Sequence, residues 1–203
     1  MTPASKAVGA LLALGLVVAT AVGGWYVVRE IGPGFLPDRC EATVGDLTVE
    51  LTPEQAENAA LIAAIGVRRG LPARAVSIAL ATAYQESGLR NLTTGDRDSL
   101  GLFQQRPSQG WGDKATLQDP SAATKLFFRG NAGKTRGLLS VPGWSSMQLT
   151  DAAQAVQVSA YPGEYAKWEQ TASALPGTSQ WKAARELPVS ALASALASSS
   201  WSA

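Results

Sequence analysis

The chain has 203 residues, and its 17 Lys+Arg against 16 Asp+Glu give a formal net charge of +1. A charge this close to zero gives no electrostatic reason to expect a nucleic-acid partner. Histidine is absent, which excludes Ser-His-Asp and Cys-His catalysis and also histidine-bound zinc. Acid–base chemistry in this chain therefore depends chiefly on carboxyl groups, and we expect neither a metal nor a cofactor.

An uncharged apolar run occupies residues 7–28, near the beginning of the chain. A helix needs about 20 apolar residues to cross a bilayer, so the run is long enough. Trp25-Tyr26 lies at its far end, where aromatic rings favour the headgroup layer, and Lys6 precedes it. We predict a single-pass membrane anchor within residues 1–29, with the remainder of the chain outside the cytoplasm. The alternative is a signal peptide cleaved near residues 19–21, which would make the protein secreted.

Residues 30–51 contain prolines and glycines that interrupt regular structure, and we predict that they form a linker. Alternation of Leu47, Val49 and Leu51 predicts one short strand, the most β structure that we expect. Cys40 has no second cysteine to pair with, so we predict a free thiol. Lipid attachment is disfavoured because a proline and two charged residues precede this cysteine.

Helix signals dominate the next part of the chain. Thr52 and Gln55 have the spacing of a capping box around a first-turn proline, and this helix is predicted to end near Gly70. A second helix, apolar around most of its circumference, is predicted from Pro72 to Gly88. Later helices are predicted at 119–130, 151–160 and 164–174. The sequence thus predicts an all-α domain over residues 52–175 and a loosely held Ala/Ser-rich tail over 176–203.

Glu86 is the strongest catalytic candidate on chemical grounds. It falls in the last turn of the predicted buried helix, where the negative end of the helix dipole opposes a charged carboxylate. Apolar neighbours would add desolvation, and both effects raise a carboxyl pKa as a general acid near neutral pH requires. The alternative is a solvated glutamate at a frayed helix end. The long polar loop at residues 91–112 follows, and its length suggests a functional lining.

Three segments resemble, in order and spacing, the motifs of lytic transglycosylases with the lysozyme-like fold. They are Glu86-Ser87-Gly88-Leu89, then Ser99-Leu100-Gly101-Leu102-Phe103-Gln104, then Ala160-Tyr161. The resemblance covers about residues 52–174. Residues 79–87 and 95–107 are also similar to a membrane-anchored, lysozyme-like group of high-GC Gram-positive bacteria. The resemblance implies an all-α, lysozyme-like domain that acts on peptidoglycan glycan strands.

The resemblance also assigns roles to individual residues. It implies that Glu86 is catalytic, and that a set of groove residues binds the substrate: Ser87, Ser99, Phe103, Gln104 and Tyr161. These assignments have structural alternatives. Ser87 either holds Glu86 and sugar hydroxyls or simply bonds the helix end, and Tyr161 either lines the site or packs between two helices. Ser99 and Gln104 either line the groove or fill a polar loop. Candidate aromatic platforms for sugar rings are Phe103, Trp111, Tyr161 and Tyr165, and the alternative for each ring, which we favour, is packing in the core.

One position departs from the family pattern. Pro162 follows Ala160-Tyr161 where the family has asparagine, so a polar group of the third motif is missing. The expected activity is that of a lytic transglycosylase or muramidase, in which Glu86 alone acts as acid and base. Hydrolysis would need a second carboxylate, for which Asp96 and Asp98 are the candidates; their alternative is a polar turn in which Arg97 pairs one of them. A non-catalytic peptidoglycan-binding or cell-envelope assembly protein remains the alternative function.

Overall fold

The computed structural model describes residues 40–44 and 46–174, which are mostly helical as predicted. The first half contains strands β1 (Cys40–Val44) and β2 (Leu47–Leu51), then helices α1 (Pro53–Arg68) and α2 (Ala73–Ser87). A long loop follows α2 and contains a 3-10 turn at Pro107–Gln109. The chain then forms α3 (Lys114–Gln118), α4 (Pro120–Arg129), β3 (Gly130–Asn131) and β4 (Thr135–Arg136). A 3-10 turn at Leu138–Ser140 leads to α5 (Leu149–Gln157), a 3-10 helix at Pro162–Trp168 and α6 (Glu169–Ala174).

Helix α1 begins with the predicted capping box. The Gln55 amide N–H donates to Thr52 Oγ1 at 3.3 Å, and the Thr52 N–H donates to Gln55 Oε1 at 2.8 Å. The Gln55 side chain then donates to the carbonyl of Gly88 at 2.9 Å, which joins the start of α1 to the end of α2. The capping residue of one helix therefore also fixes the end of the helix that carries Glu86.

Helix α2 lies at the centre of the described residues, packed against α1, α5, α6 and the 3-10 helix at Pro162–Trp168. It is buried along most of its length because alanine, valine, leucine and isoleucine cover nearly all of its faces. A side chain at Gly66 of α1 would overlap Val76, so the two helices approach closely there. Gly88 ends α2 in the left-handed conformation, at φ 62°. These contacts fix the last turn of α2 in the fold.

Within the linker predicted for residues 30–51, the structure describes residues 40–44 and 46–51, which contain the predicted short strand and one further strand. Strands β1 and β2 pair antiparallel, with Cys40 opposite Leu51, and the predicted strand is thus one arm of a hairpin. Val49 and Leu51 are buried in the core, because one face of the hairpin packs on the helices. Cys40 is a free thiol, partly buried against the same core.

Two further elements were not predicted. Helix α3 is capped by Asp113, whose side chain accepts from the Thr116 N–H at 2.8 Å. A second antiparallel hairpin, β3–β4, exceeds the single short β element that the sequence predicted. It has two residues in each strand, too few to show alternation in the sequence.

The C-terminal helices differ from their predicted bounds. Helix α5 ends at Gln157 and not at 160, because Val158 adopts the left-handed conformation at φ 52°. The helix predicted at 164–174 begins as a 3-10 helix at Pro162 and becomes α-helical only from Glu169. This tighter winding decides which side chain of the segment reaches Glu86.

The predicted membrane segment of residues 1–29 and the predicted tail of residues 176–203 lie outside the described residues. Among the residues that the structure describes, none of the helices has both the length and the apolar character needed to cross a membrane.

Candidate active site

Glu86 lies in the last turn of α2 and lines a cleft of about 990 Å³. Side chains from the long loop after α2, from the β3–β4 hairpin and from the end of α5 line the same cleft. The volume falls in the range typical of small-molecule sites, about 300–1,000 Å³. The predicted placement of Glu86, at a buried helix end and open to a cleft, therefore agrees with the structure.

The hydrogen bonds of Glu86 come from the C-terminal part of the described chain. Tyr165 Oη donates to Glu86 Oε1 at 2.6 Å, and the Gln157 side chain also bonds the carboxylate. Burial raises the pKa of Glu86 above its ordinary value, while the bonds from Tyr165 and Gln157 oppose that rise because they favour the ionised form. Burial is the largest of these effects. Glu86 is thus a carboxyl group that holds its proton to higher pH than an exposed glutamate does.

Tyr165 is a donor to Glu86 and not a base. Its ring is fully buried, and burial raises the pKa of its hydroxyl, with the neighbouring Glu86 charge adding to the rise. A hydrogen bond from the side chain of Ser159 opposes this rise only in part. The hydroxyl therefore stays protonated at neutral pH and can donate continuously to Glu86.

Removal of the Tyr165 hydroxyl should move the pH dependence of activity. In Tyr165→Phe the ionised form of Glu86 loses a donor, so its pKa should rise further above the ordinary value. Since the general acid is lost as pH rises through this pKa, the descending limb of the pH–rate profile should move to higher pH. Rates of glycan cleavage across pH would measure the shift. Tyr161→Phe, which removes a hydroxyl from the same cleft, should leave the limb in place; a downward shift in Tyr165→Phe would contradict this role.

Gln157, the last residue of α5, connects Glu86 to the loop after α2. Its side-chain nitrogen donates to the carbonyl of Phe103 at 2.7 Å. The same side chain lies near the Glu86 carboxyl and lowers its pKa. Gln157 thus contacts both the segment that contains Gln104 and the surroundings of Glu86.

Ser87 does not line the cleft, so its predicted role as a substrate-binding residue is wrong. It is buried, and its hydroxyl lies 2.7 Å from the carbonyl of Leu102 and 3.0 Å from that of Ala83. The residue follows Glu86 by one position, which on a helix directs its side chain to a different face. Its structural alternative, a hydrogen bond at the helix end, is what the structure shows.

We expect Ser87→Ala to destabilise the fold by about 1–3 kcal/mol, because the buried carbonyl of Leu102 loses its donor. Urea denaturation would measure the loss. Ser121→Ala, a matched change at a partly exposed position of α4, should have a smaller effect. Equal losses for the two variants would contradict a structural role for the Ser87 hydroxyl.

Phe103 is wrongly predicted as a substrate-binding residue, and its ring packs in the core, as the alternative to an aromatic platform predicted. Its side chain is 0% exposed, and its ring stacks on Phe127 with 4.7 Å between centroids. Within the Gly-Leu-Phe-Gln segment this side chain points into the core, while Gln104 faces the cleft. Only the backbone carbonyl of Phe103 contributes to the site, as the acceptor for Gln157.

Ser99 and Gln104 line the cleft, as the resemblance implied. Gln104 has a left-handed backbone, at φ 46°, and its side chain donates to the carbonyl of Gly101 at 3.1 Å. A β-carbon at Gly95 would overlap the Gln104 side chain. The absence of a side chain at Gly95 therefore leaves room for the orientation of Gln104, and the positive φ indicates backbone strain of a kind common at functional sites.

Tyr161 lines the cleft and is 72% exposed, so it does not pack between two helices. The tyrosine that contacts Glu86 is Tyr165 and not Tyr161. Trp111 lines the cleft with most of its ring buried. Of the four aromatic residues considered as platforms, Tyr161 and Trp111 thus face the cleft, and Tyr161 offers much the larger surface.

The two loop carboxylates differ in their surroundings. Asp98 accepts from the Ser108 N–H at 2.7 Å and from Arg106 Nε at 2.8 Å. These bonds, with that to the Ser108 hydroxyl, hold the pKa of Asp98 well below its ordinary value. Asp96 lines the cleft, with a side chain 90% exposed and 3.8 Å from Arg97 Nε. The polar-turn interpretation therefore fits both residues, although Arg106 and not Arg97 holds Asp98.

Sequence reasoning missed the two residues that bond Glu86. Tyr165 was considered only as a sugar platform, and Gln157 was not singled out. Pro162 could have indicated Tyr165. In a 3-10 helix that begins at a proline, the residue three positions later lies on the same side of the helix as the proline. Among the described residues, we find no group of three or more side chains suited to binding a metal ion.

Comparison of the chain with protein-family models and with curated proteins returns no match.

Proposed function

We propose that this chain cleaves the glycan strands of peptidoglycan outside the cytoplasmic membrane, as a lytic transglycosylase or muramidase with a lysozyme-like domain. One observation carries the proposal. A glutamate whose pKa is raised by burial lies at the end of a buried helix and lines a cleft large enough for several sugar rings. The resemblance of the segments around Glu86, Gln104 and Tyr161 to transglycosylase motifs supplies the substrate class.

Glu86 can act in both steps of such a reaction. As the acid, it gives its proton to the glycosidic oxygen while the bond from that oxygen to C1 breaks. As the carboxylate, it takes the proton of the C6 hydroxyl of the muramic acid residue, whose oxygen then bonds to C1 and forms an anhydro ring. The carboxyl group ends protonated, as it began.

The surroundings of Glu86 suit a group that must exist in both states. Burial favours the protonated acid, and the bonds from Tyr165 and Gln157 stabilise the carboxylate once the proton has left. Tyr165 also holds the carboxyl in one orientation, through the 2.6 Å bond from its hydroxyl. Orientation of a proton donor relative to the bond that breaks is a large part of acid catalysis.

The surroundings of the loop carboxylates favour transglycosylation over hydrolysis. Hydrolysis requires a second carboxylate, at about 5 Å as a nucleophile or about 6.5–9.5 Å as a base for water. Asp98 is committed to Arg106 and Ser108, and Asp96 is nearly fully exposed beside Arg97. The oxygens of Asp98 are thus occupied, and the exposed side chain of Asp96 is not held in one orientation beside Glu86, whereas the C6 hydroxyl reaction requires Glu86 alone.

The location follows from the sequence. The apolar run within residues 1–29 would anchor the chain, or direct its export if cleaved, and either outcome places Glu86 on the side of the membrane where peptidoglycan lies. The partners of the protein are then the glycan strands, through the cleft, and the membrane, through the anchor.

Pro162 supports a second candidate function, a non-catalytic wall-binding or envelope-assembly protein. The family pattern has an asparagine there, and proline supplies no side-chain donor or acceptor. Tyr161 beside it is exposed and makes no described bond to Glu86. Such a protein would keep the cleft and its affinity for glycan while freeing no product.

Incubation of the full-length chain with purified sacculi separates these functions. Release of soluble muropeptides with anhydro ends would establish a lytic transglycosylase, and release with reducing ends would establish a muramidase. Sedimentation of the protein with the sacculi, without release of soluble material, would favour the binding function and contradict the proposed activity.

A further inference from the structure

Positive charge is concentrated on one part of the cleft lining. Lys134 and Arg136 come from the β3–β4 hairpin, and Arg97 and Arg106 come from the loop after α2. The chain as a whole has a formal net charge of only +1. Glu86 and Asp96 line the same cleft, so four basic side chains face two acidic ones there.

Two of these four cations are already paired. Arg106 Nε lies 2.8 Å from Asp98 Oδ1, and Arg97 Nε lies 3.8 Å from Asp96 Oδ2. Among the described residues, neither Lys134 nor Arg136 has a carboxylate within ion-pair distance. Both side chains are exposed on the cleft. The positive charge that remains available to a ligand therefore belongs to the β3–β4 hairpin.

The hairpin is held firmly against the rest of the cleft. Asn131 Nδ2 donates to the carbonyl of Gly110 at 2.7 Å, and the Asn131 N–H donates to Thr135 Oγ1 at 2.9 Å. A β-carbon at Gly110 would lie 3.1 Å from the β-carbon of Lys134, so these two backbones are close neighbours. The backbone of Lys134 and Arg136 is thus fixed relative to the cleft before any ligand binds, so that only the side chains must be ordered on binding.

We infer that Lys134 and Arg136 bind an oxyanion-bearing substituent of the glycan strand, while the sugar rings occupy the cleft beside Glu86. Guanidinium and ammonium groups recognise carboxylates and phosphates through charge-assisted hydrogen bonds. An unsubstituted, neutral glycan would leave this part of the cleft without a partner. The inference rests on the proposed function and narrows its substrate to strands that carry acidic substituents.

Two sources of oxyanion exist in bacterial walls: carboxylates of peptides attached to the sugars, and phosphodiester-linked polymers. Both present the same chemistry to a lysine and an arginine. Because the two side chains are exposed, their interaction with either group should be screened by salt. Hydrofluoric acid cleaves the phosphodiesters and leaves the peptide cross-links intact, so acid-treated sacculi still sediment and distinguish the two.

Binding is best measured by co-sedimentation of the full-length Glu86→Gln protein with purified sacculi, so that the substrate is not consumed. Addition of Lys134→Glu and Arg136→Glu should weaken binding about tenfold at low salt, with a smaller difference at high salt. The matched control is Lys114→Glu with Lys125→Glu, which reverses two exposed charges on α3 and α4 away from the cleft. Melting temperatures would verify that both double variants fold.

The outcomes separate this inference from the proposed function. Persistence of the difference between parent and hairpin variant on acid-treated sacculi would support peptide carboxylates, and its loss there would support phosphodiesters. Equal binding by the parent and the hairpin variant would overturn the inference and leave the proposed function standing. An equal loss in the control variant would also overturn it, since net charge alone would then explain binding. Failure of the parent to bind any preparation would overturn both.

Discussion

Replacement of Glu86 by glutamine is expected to lower the rate of glycan cleavage by about 10²–10⁴-fold, the usual contribution of a general acid–base group. The amide has nearly the same shape and can still accept the bond from the Tyr165 hydroxyl. It can neither give a proton to the glycosidic oxygen nor take one from the C6 hydroxyl. The measurement is the initial rate at which the full-length chain releases soluble fragments from purified sacculi.

The matched control for this variant is Glu57→Gln. Glu57 is exposed on α1 and does not line the cleft, so the same chemical change there should leave the rate of release unaltered. Binding of the Glu86→Gln protein to sacculi should also be retained, because only the transfer of protons is lost. Release by Glu86→Gln at the rate of the unchanged protein would mean that another group acts as the acid.

The largest loss of stability is expected for Phe103→Ala. The ring is 0% exposed and stacks on Phe127, and truncation of a buried phenylalanine lowers the free energy of unfolding by about 3–5 kcal/mol. Urea denaturation, followed by circular dichroism, would measure this loss. Any fall in activity should follow from the lost packing, since only the backbone carbonyl of Phe103 contacts a residue of the site.

Tyr161→Ala is the control for Phe103→Ala, because Tyr161 is also an aromatic residue of a predicted motif. Its side chain is 72% exposed, so its truncation should change the free energy of unfolding by no more than about 0.5 kcal/mol. Its effect should appear instead in the affinity for glycan. A small stability loss in Phe103→Ala, close to that of Tyr161→Ala, would show that Phe103 is not a core residue.

The helices that determine the position of Glu86 could be predicted because their signals are local. Thr52 and Gln55 stand three positions apart in a capping box, and Gly88 directly follows the last turn of α2. The raised pKa of Glu86 was also expected from its place at the end of a buried helix, and burial is the largest cause in the structure.

The residues around Glu86 could not be predicted with the same success, because they depend on packing between distant segments. Tyr165 is 79 positions away from Glu86 along the chain, and no local pattern measures such a contact. A motif also does not reveal which of its members face inward. Ser87 turns toward the core from the last turn of α2. Phe103 turns toward the core and Gln104 toward the cleft, because the strained loop after α2 has no regular period.

The β3–β4 hairpin shows a third reason for failure. Its strands have two residues each, and its place depends on contacts of Gly130 and Gly137 with neighbouring backbone, where a side chain would overlap. Glycine commonly stands where two backbone segments approach closely, but such a contact produces no regular spacing of residues in the sequence. The cationic part of the cleft was therefore not foreseen.

Titration of the Glu86 carboxyl group would decide whether this side chain can serve as the proton donor. The carboxyl carbon can be followed by NMR in the full-length protein labelled with ¹³C-glutamate, and assigned by the signal that disappears in Glu86→Gln. Burial predicts a pKa above the ordinary value of 4.5. A pKa at or below 4.5 would contradict the proposed mechanism, since the carboxyl group would then be ionised where it is required to donate.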